Sequence, residues 1–417
     1  MKRFGLLCVA VLFLASTAST WQIAGTSAGA DPHEAGSGPA APGWRIPAGA
    51  DPHEAGSGPA VPERTRTQCV DLPEMNTWFQ WSRGWIGGDG VFTIPLDGNR
   101  ILWLFSDSFV GRVAEGQRRR VTMVHNAVAI QENTAVRPEI FFGKTAVGGP
   151  ESFFDPPDGR GYFWLFHGAT NHQGLWLFLI QVETTDASSA FGFRTIGTWL
   201  AHISNPHDAP PAWRVSMRKI PWKIFPTDKA GGDDPGRTLH FGSWVTPVGD
   251  DLYIYGVDER PGKRGMIVAK VPVSRIGQFD RWRFLGPDGW VKDFRACRTL
   301  ADDITTEYSV TPMKTGQGAE KSRYLLIQSA GNLSPDILAR EAASPVGPWS
   351  EPRVIYTCPE PLRRKGVFTY AAKAHPELSR ESGTVISYVA NSVNFKDLIE
   401  HAWIYWPRFI LLPATGN

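Results

Sequence analysis

One unit recurs five times in this chain: an apolar strand that a proline closes, a turn, and a second apolar strand. The segments are GGDGVFTIPLDGNRILWLFSDS from Gly87, ESFFDPPDGRGYFWLFHGAT from Glu151, HFGSWVTPVGDDLYIYGVDE from His240, TEYSVTPMKTGQGAEKSRYLLIQSAG from Thr306 and FTYAAKAHPELSRESGTVISYVANS from Phe368. Their anchoring prolines, Pro95, Pro156, Pro247, Pro312 and Pro376, stand 61, 91, 65 and 64 residues apart. Recurrence at a roughly fixed step marks a repeat architecture. A hairpin with further strand-like sequence is the content of one propeller blade. The pattern therefore predicts an all-β fold, a single five-bladed β-propeller, in which the same end of every blade meets one central funnel. The innermost strands are expected at Gly90–Leu96, Ser152–Asp155, Gly242–Pro247, Tyr308–Pro312 and Tyr370–Ala374. The last blade lacks an obvious fourth strand. The segment near Asn76–Ser82 is expected to supply it, so that an N-terminal strand closes the ring.

Ahead of the repeats the chain changes character. Residues 1–20, MKRFGLLCVAVLFLASTAST, join a basic pair to a short apolar run and small residues, the pattern of a secretory signal peptide. The run is too short for a membrane span, so the expected location is secreted, periplasmic or cell-surface. Residues 21–66 form a low-complexity linker in which AGADPHEAGSGPA occurs at Ala28–Ala40 and again at Ala48–Ala60. Gly, Ala, Pro and Ser without apolar period cannot build a core. The duplicated His33 and His53 are read as inert. The propeller takes residues 67–417.

Net charge is +2, and the basic runs Arg118–Arg120 and Leu362–Lys365 are short and isolated, so no nucleic-acid footprint is expected. Beyond the leader three cysteines remain, Cys69, Cys297 and Cys358. An odd number in an exported chain allows one disulfide and one free thiol. With no CxxC and no ligand spacing, no metal site and no cofactor are expected. An ion on the funnel axis is the one inorganic ligand left open. Tryptophan is the compositional outlier at 17 residues, mostly in blade strands such as those at Trp103 and Trp164. Packing between blades accounts for most of them. Any that line the funnel would offer flat apolar faces suited to sugar rings.

In antiparallel pairs, the start of an innermost strand lies beside the end of its neighbour. Asp89 is therefore expected beside Asp107, and Asp155 beside His167. Ser243 should meet Asp258 and Glu259, and Glu307 should meet Ser329 and Asn332. Tyr370 and Lys373 should meet Asn391. All of these polar positions fall on one face of the ring.

The blocks DGVFTIPL with LWLFSDSFVG, MVHNAVAI from Met123, TEYSVTP, YAAKAHPELS with ISYVANS, and YWPRFILLP resemble the domain of unknown function 4185 family over roughly Val70 to Pro413. That family is similar to the five-bladed propellers of glycoside hydrolase family 43, and some of its members are glycoside hydrolases acting on D-arabinan. The resemblance implies an exported carbohydrate-active protein. Family 43 carries acidic residues on blades one, two and three. Here Asp89 and Asp155 match the first two, blade three offers Ser243 and Trp244, and the glutamate, Glu307, is on blade four.

Glycoside cleavage ordinarily needs two carboxylates, one to protonate the leaving oxygen and one to activate water or attack the sugar. Asp89 is the expected base and Glu307 the expected acid, with Asp107 and Asp155 as supporting carboxylates. Each has a bland alternative. Asp89 in GGDG and Asp107 in SDS are also good turn and cap residues, and Asp155 precedes two prolines. Substrate contacts are expected from Lys373, His375, Tyr370, Asn391, Trp244 and His125. Lys373 lies in an apolar strand, where an ammonium needs a partner such as Glu307 or Asp89. His125, His167, His240 and His375 also suit packed core positions.

Two functions fit this reading. The first is an exported glycoside hydrolase cleaving an arabinan-like or related polysaccharide. The second is a non-catalytic propeller that binds carbohydrate or protein at the cell surface. Carboxyls about 5 to 10 Å apart in an open funnel would favour the first. A funnel plugged by Trp and Lys, or carboxylates locked to cations, would favour the second.

Overall fold

The computed structural model describes residues 69–185, 192–225, 236–313, 323–331 and 333–414. The expected signal peptide and linker lie outside the described residues. The rest is an all-β ring of five antiparallel sheets. The first strands of the five blades are Arg83–Pro95, Tyr162–Asn171, Thr238–Val248, Tyr308–Met313 and Val367–Ala374. Each touches the first strands of the blades on either side, and the last touches the first, which closes the ring.

In four of the blades the innermost strand falls on the segment that the repeats predict, starting at the expected residue in blade four and three to seven residues earlier in blades one, three and five. Blade two differs. Ser152–Asp155, expected as its innermost strand, belongs to the connection from blade one, and the innermost strand is Tyr162–Asn171. The cause is local. Pro156 and Pro157 remove two backbone donors, and Gly159 and Gly161 both adopt positive φ, so this apolar stretch turns instead of pairing.

The ring is closed by the first described strand, N-terminal to the blades as expected, but six residues earlier than Asn76–Ser82. Val70 pairs with Leu411 and Asp71 with Ile410, which adds a fourth strand to blade five. Residues Pro73–Asn76 form a helical turn. Phe79 then inserts fully buried between Trp85, Trp103 and Phe105 of blade one and Phe409 of blade five. Burying one such ring stabilises by about 2–3 kcal/mol, so this plug adds to the two-residue strand in holding the seam.

Bulges recur where the innermost strands approach the axis. In blade one the register slips between Gly88 and Gly90 and again between Gly90 and Phe92. Blade two places Phe166 and His167 against Phe178 alone. Blade three inserts Gly242 and Ser243, and blade five sets Ala371 and Ala372 against Tyr388. A bulge re-aims the side chains beside it, and here those include Asp89, His167, Ser243 and Lys373. Gly242 comes close to its neighbour: a Cβ there would lie 2.5 Å from the Phe178 ring.

The pairing expectations hold in part. Ser243 does not meet Asp258 or Glu259, because the strand starts at Thr238 and those acids pair opposite Leu239 and Thr238. Arg237 takes Asp258 at 2.7 Å and Arg264 takes Glu259 at 2.5 Å. Asn391 reaches Tyr370, whereas Lys373 lies opposite Ser387, one turn of the ladder away. Asn332 lies outside the described residues. Cys69, Cys297 and Cys358 are all free thiols, so the described residues contain no disulfide.

Candidate active site

Asp89 enters the ring from the bulge of blade one and is 1% exposed. Its Oδ2 accepts the Tyr370 hydroxyl at 2.6 Å. Its Oδ1 is buried with no hydrogen-bond partner among the described residues. Desolvation, then the nearby charges of Asp107 and Glu307, hold its carboxyl well above the usual carboxylate range, against the pull of Tyr370 and Tyr405. Asn391 Nδ2 donates to the Tyr370 hydroxyl at 3.2 Å, which orients that hydroxyl toward Asp89.

Asp107, expected beside Asp89, is there. Its Oδ1 accepts from His125 Nδ1 at 2.8 Å and from Trp164 Nε1 at 3.0 Å. Tyr405 caps the backbone carbonyl of Asp107 at 2.9 Å. His125 is held flat on Tyr162, ring centres 3.7 Å apart, and its side chain is 25% exposed. The contact with the Asp107 carboxylate places the proton of His125 on Nδ1 and turns Nε2 away from Asp107.

Glu307 and Lys373 come together from blades four and five. Nζ of Lys373 lies 2.9 Å from Glu307 Oε2 and also donates to the carbonyls of Ala371 and Gly90. The ammonium sits 4.4 Å from the centre of the Phe92 ring. Lys373 is fully buried, whereas the Glu307 side chain keeps 18% exposure. Burial lowers the pKa of Lys373, and Glu307 followed by Asp89 pulls it back up. All three ammonium donors are used, as a buried charge requires.

Below this layer the axis is filled. Trp244 stacks on His167 at 3.8 Å and is 2% exposed. His167 donates from Nε2 to the Thr93 carbonyl at 3.1 Å and accepts the Val245 amide at Nδ1, 3.0 Å away. Both nitrogens are used, and burial lowers its pKa to about 3. His375 is likewise engaged on both sides, by Thr93 Oγ1 and Ser387 Oγ, each at 2.7 Å. Of the expected substrate contacts, Trp244 and His375 are thus committed to the floor of the funnel. Asp155 is exposed in the connection before blade two and does not join His167. Desolvation raises its carboxyl and His125 opposes that rise; the nearest link of this connection to the site is the His125 amide, which donates to Ser152 Oγ at 3.0 Å.

Three participants were not anticipated. Tyr405 lies in the irregular segment before the last strand and has a positive φ of 71°. Tyr162 and Trp164 sit in the misassigned blade two. A fourth group lies on the floor: Glu377 accepts the Thr93 hydroxyl at 2.9 Å, and burial pushes its carboxyl up to about 7. Among the described residues no cluster of His, Cys, Asp and Glu is arranged to hold a metal ion. None of their helices is long and apolar enough to cross a membrane.

Ring, bulged inner strands and a layer of carboxylates at one mouth define a five-bladed propeller with a candidate acid–base site. The chain belongs to the family described as Domain of unknown function (DUF5005), whose model matches residues 73–413, and not to the 4185 family that its motifs resemble. A protein of Bacteroides ovatus, provisionally described as a hydrolase, shares the fold at a TM-score of 0.65 and 22% identity, over 84% of this chain and 92% of that one. The Notoamide biosynthesis cluster protein J of Aspergillus sp. (strain MF297-2) is 25% identical over 154 residues, 36% of this chain. The chain spans 38% of the length of that relative. The catalytic domain of the Coprinopsis cinerea GH62 alpha-L-arabinofuranosidase matches at a TM-score of 0.41 and 11% identity, covering 79% of this chain and 94% of that domain. A likeness that remote carries no argument about the site.

Proposed function

We propose that this chain is a glycoside hydrolase that cleaves an arabinan-like or related polysaccharide at the mouth of the propeller, outside the cell or at its surface. The observation that carries the reading is the contrast between two carboxyls of one layer. Asp89 is desolvated and pressed by like charges toward its protonated form. Glu307 is partly open to solvent and ion-paired with Lys373. Two carboxyls set apart in this way supply an acid and a base at one pH.

The electrostatics favour exchanging the roles that the sequence suggests. Asp89 gives its proton to the leaving glycosidic oxygen as the bond from the sugar carbon breaks. Glu307 takes a proton from the water that attacks that carbon. Asp107 keeps the proton on Asp89 through its charge, and the exposed edge of His125 on Tyr162 offers a wall for the sugar. The substrate would lie above Lys373, because Phe92, His167 and Trp244 fill the axis beneath. The provisional description of the Bacteroides ovatus protein as a hydrolase agrees with this reading without bearing on particular residues.

One observation favours the second reading, a carbohydrate-binding propeller without catalysis: Glu307 is locked to a buried cation and Asp89 is closed over by Tyr370. Reducing-sugar release from D-arabinan, L-arabinan, xylan and fructan separates the two, with Asp89→Asn and Glu307→Gln alongside and folding checked by circular dichroism. Release from one polymer that both substitutions abolish supports the hydrolase. Binding to a polymer without release, unchanged in both variants, would leave the recognition reading in its place.

A further inference from the structure

Tyr405 turns inward to Asp107, whereas Trp403 and Trp406, on either side of it, are only half-buried. Trp403 and Trp406 line a groove of about 400 Å³ together with Gln80, Val113, Arg363 and Arg408. It lies at the seam where blade five meets blade one. The segment that carries it follows Ser392, at the same end of blade five as Tyr370, so groove and mouth share a face of the ring.

Three features give the groove a chemical preference. Its walls include two half-buried indole planes, the surfaces on which sugar rings stack. Trp406 is fixed by Arg118, whose guanidinium lies 5.2 Å from its ring while donating to the carbonyls of Ile86 and Ile404. Trp406 Nε1 is buried and has no hydrogen-bond partner among the described residues, so this indole meets the groove with its ring. The charged groups are cationic. Arg363 lies over Trp403 at 5.6 Å and is exposed, and Arg408 donates to the Trp403 carbonyl at 2.8 Å. The one carboxylate paired with Arg408, Glu360, is itself buried at 2% and is not part of the lining. Beside it Arg364 is paired with Asp397 at 2.6 Å, and Lys365 extends the basic loop.

Aromatic planes flanked by donors, with no carboxylate in the lining, match a ligand of flat apolar rings edged by anionic acceptors. We infer that this groove binds an acidic saccharide, a chain of uronate residues, with its rings on Trp403 and Trp406 and a carboxylate on Arg363. A guanidinium pairs with a carboxylate through two parallel hydrogen bonds, which a neutral sugar cannot match. The site does not depend on whether the mouth is catalytic.

Affinity electrophoresis of the full chain in gels containing polygalacturonate or neutral galactan tests this. Polygalacturonate is expected to retard the protein more than galactan does, and the retardation should weaken as salt is raised. Trp403→Ala should weaken it roughly tenfold, a loss of about 1.4 kcal/mol. Arg363→Ala should remove the preference for the acidic polymer. Equal retardation by both polymers, no retardation, or variants that behave as wild type would overturn the assignment. So would loss of retardation in Asp89→Asn, because binding would then belong to the mouth. Size-exclusion chromatography covers the remaining occupant. If Trp403→Ala converted a dimer to a monomer, the groove would be a contact between copies and not a saccharide site.

Discussion

Tyr370 of the last blade donates its hydroxyl to Oδ2 of Asp89 in the first blade across 2.6 Å. The bond joins the two ends of the ring at the carboxyl whose protonation the proposed chemistry uses. It also works against the other influences on that carboxyl, since it favours the ionised form while burial, Asp107 and Glu307 favour the neutral one.

Removing that bond is therefore expected to move the pH profile in a definite direction. Tyr370→Phe takes away a donor to the carboxylate, so the pKa of Asp89 rises further. If protonated Asp89 is the acid, the alkaline limb of kcat/KM moves to higher pH. A limb that stayed in place would remove Asp89 from the acid role.

Asp107→Asn is expected to do the opposite. The second largest cause of the raised Asp89 carboxyl is the charge of Asp107, and neutralising it lowers the pKa and brings the alkaline limb down. The same change weakens the hold on His125 Nδ1, so the His125 imidazole proton signals should move in an NMR spectrum recorded at one pH.

The Lys373–Glu307 pair makes a prediction about stability. Lys373→Met removes a fully buried ammonium and its bonds to Gly90 and Ala371. It leaves Glu307 with only its partial exposure to solvate the charge. We expect a loss of about 3 kcal/mol in denaturant unfolding, together with loss of any sugar release. A cost below about 1 kcal/mol would mean that the pair is a surface-type contact.

On the floor, Glu377 links pH to stability. Its folded-state pKa of about 7 stands above the ordinary 4.5, so the folded protein binds the extra proton. That contribution is full below the unfolded value and is lost as pH rises through about 7. Thermal unfolding at pH 5 and pH 8 should show a decline of about 1–3 kcal/mol. Glu377→Gln should reduce it and leave the part that the raised carboxyl of Asp89 contributes. A decline of the same size in that variant would place the titrating group elsewhere.

The seam offers a packing test. Phe79 is fully buried against rings of blades one and five, and Phe79→Ala is expected to cost about 3–5 kcal/mol in chemical denaturation. An effect near that of a surface substitution would mean that the Val70–Asp71 strand alone closes the ring.

The blades were legible because proline, turn and alternation coincide at Pro95, Pro247, Pro312 and Pro376. Blade two was not, since Phe153 and Phe154 give the connection the apolarity of a strand, and only the doubled proline and glycines betray it. The closing strand was placed too late because two residues, Val70 and Asp71, carry no detectable alternation. At the site, Asp89 beside Asp107 and Lys373 against Glu307 followed from ladder arithmetic and from the cost of a lone buried ammonium. Tyr405 and Glu377 could not follow from either. They reach their partners from irregular segments, where no register relates sequence position to place in the fold.

The candidate site draws Asp89 from the first blade, Glu307 from the fourth, and Lys373 with Tyr370 from the fifth. A chain made from its N-terminus holds Asp89 and Asp107 early but lacks Lys373 and Tyr370 until most of its length has been synthesised. A product truncated before the fifth blade would therefore carry the carboxylates without the cation and the hydroxyl that meet them in the closed ring.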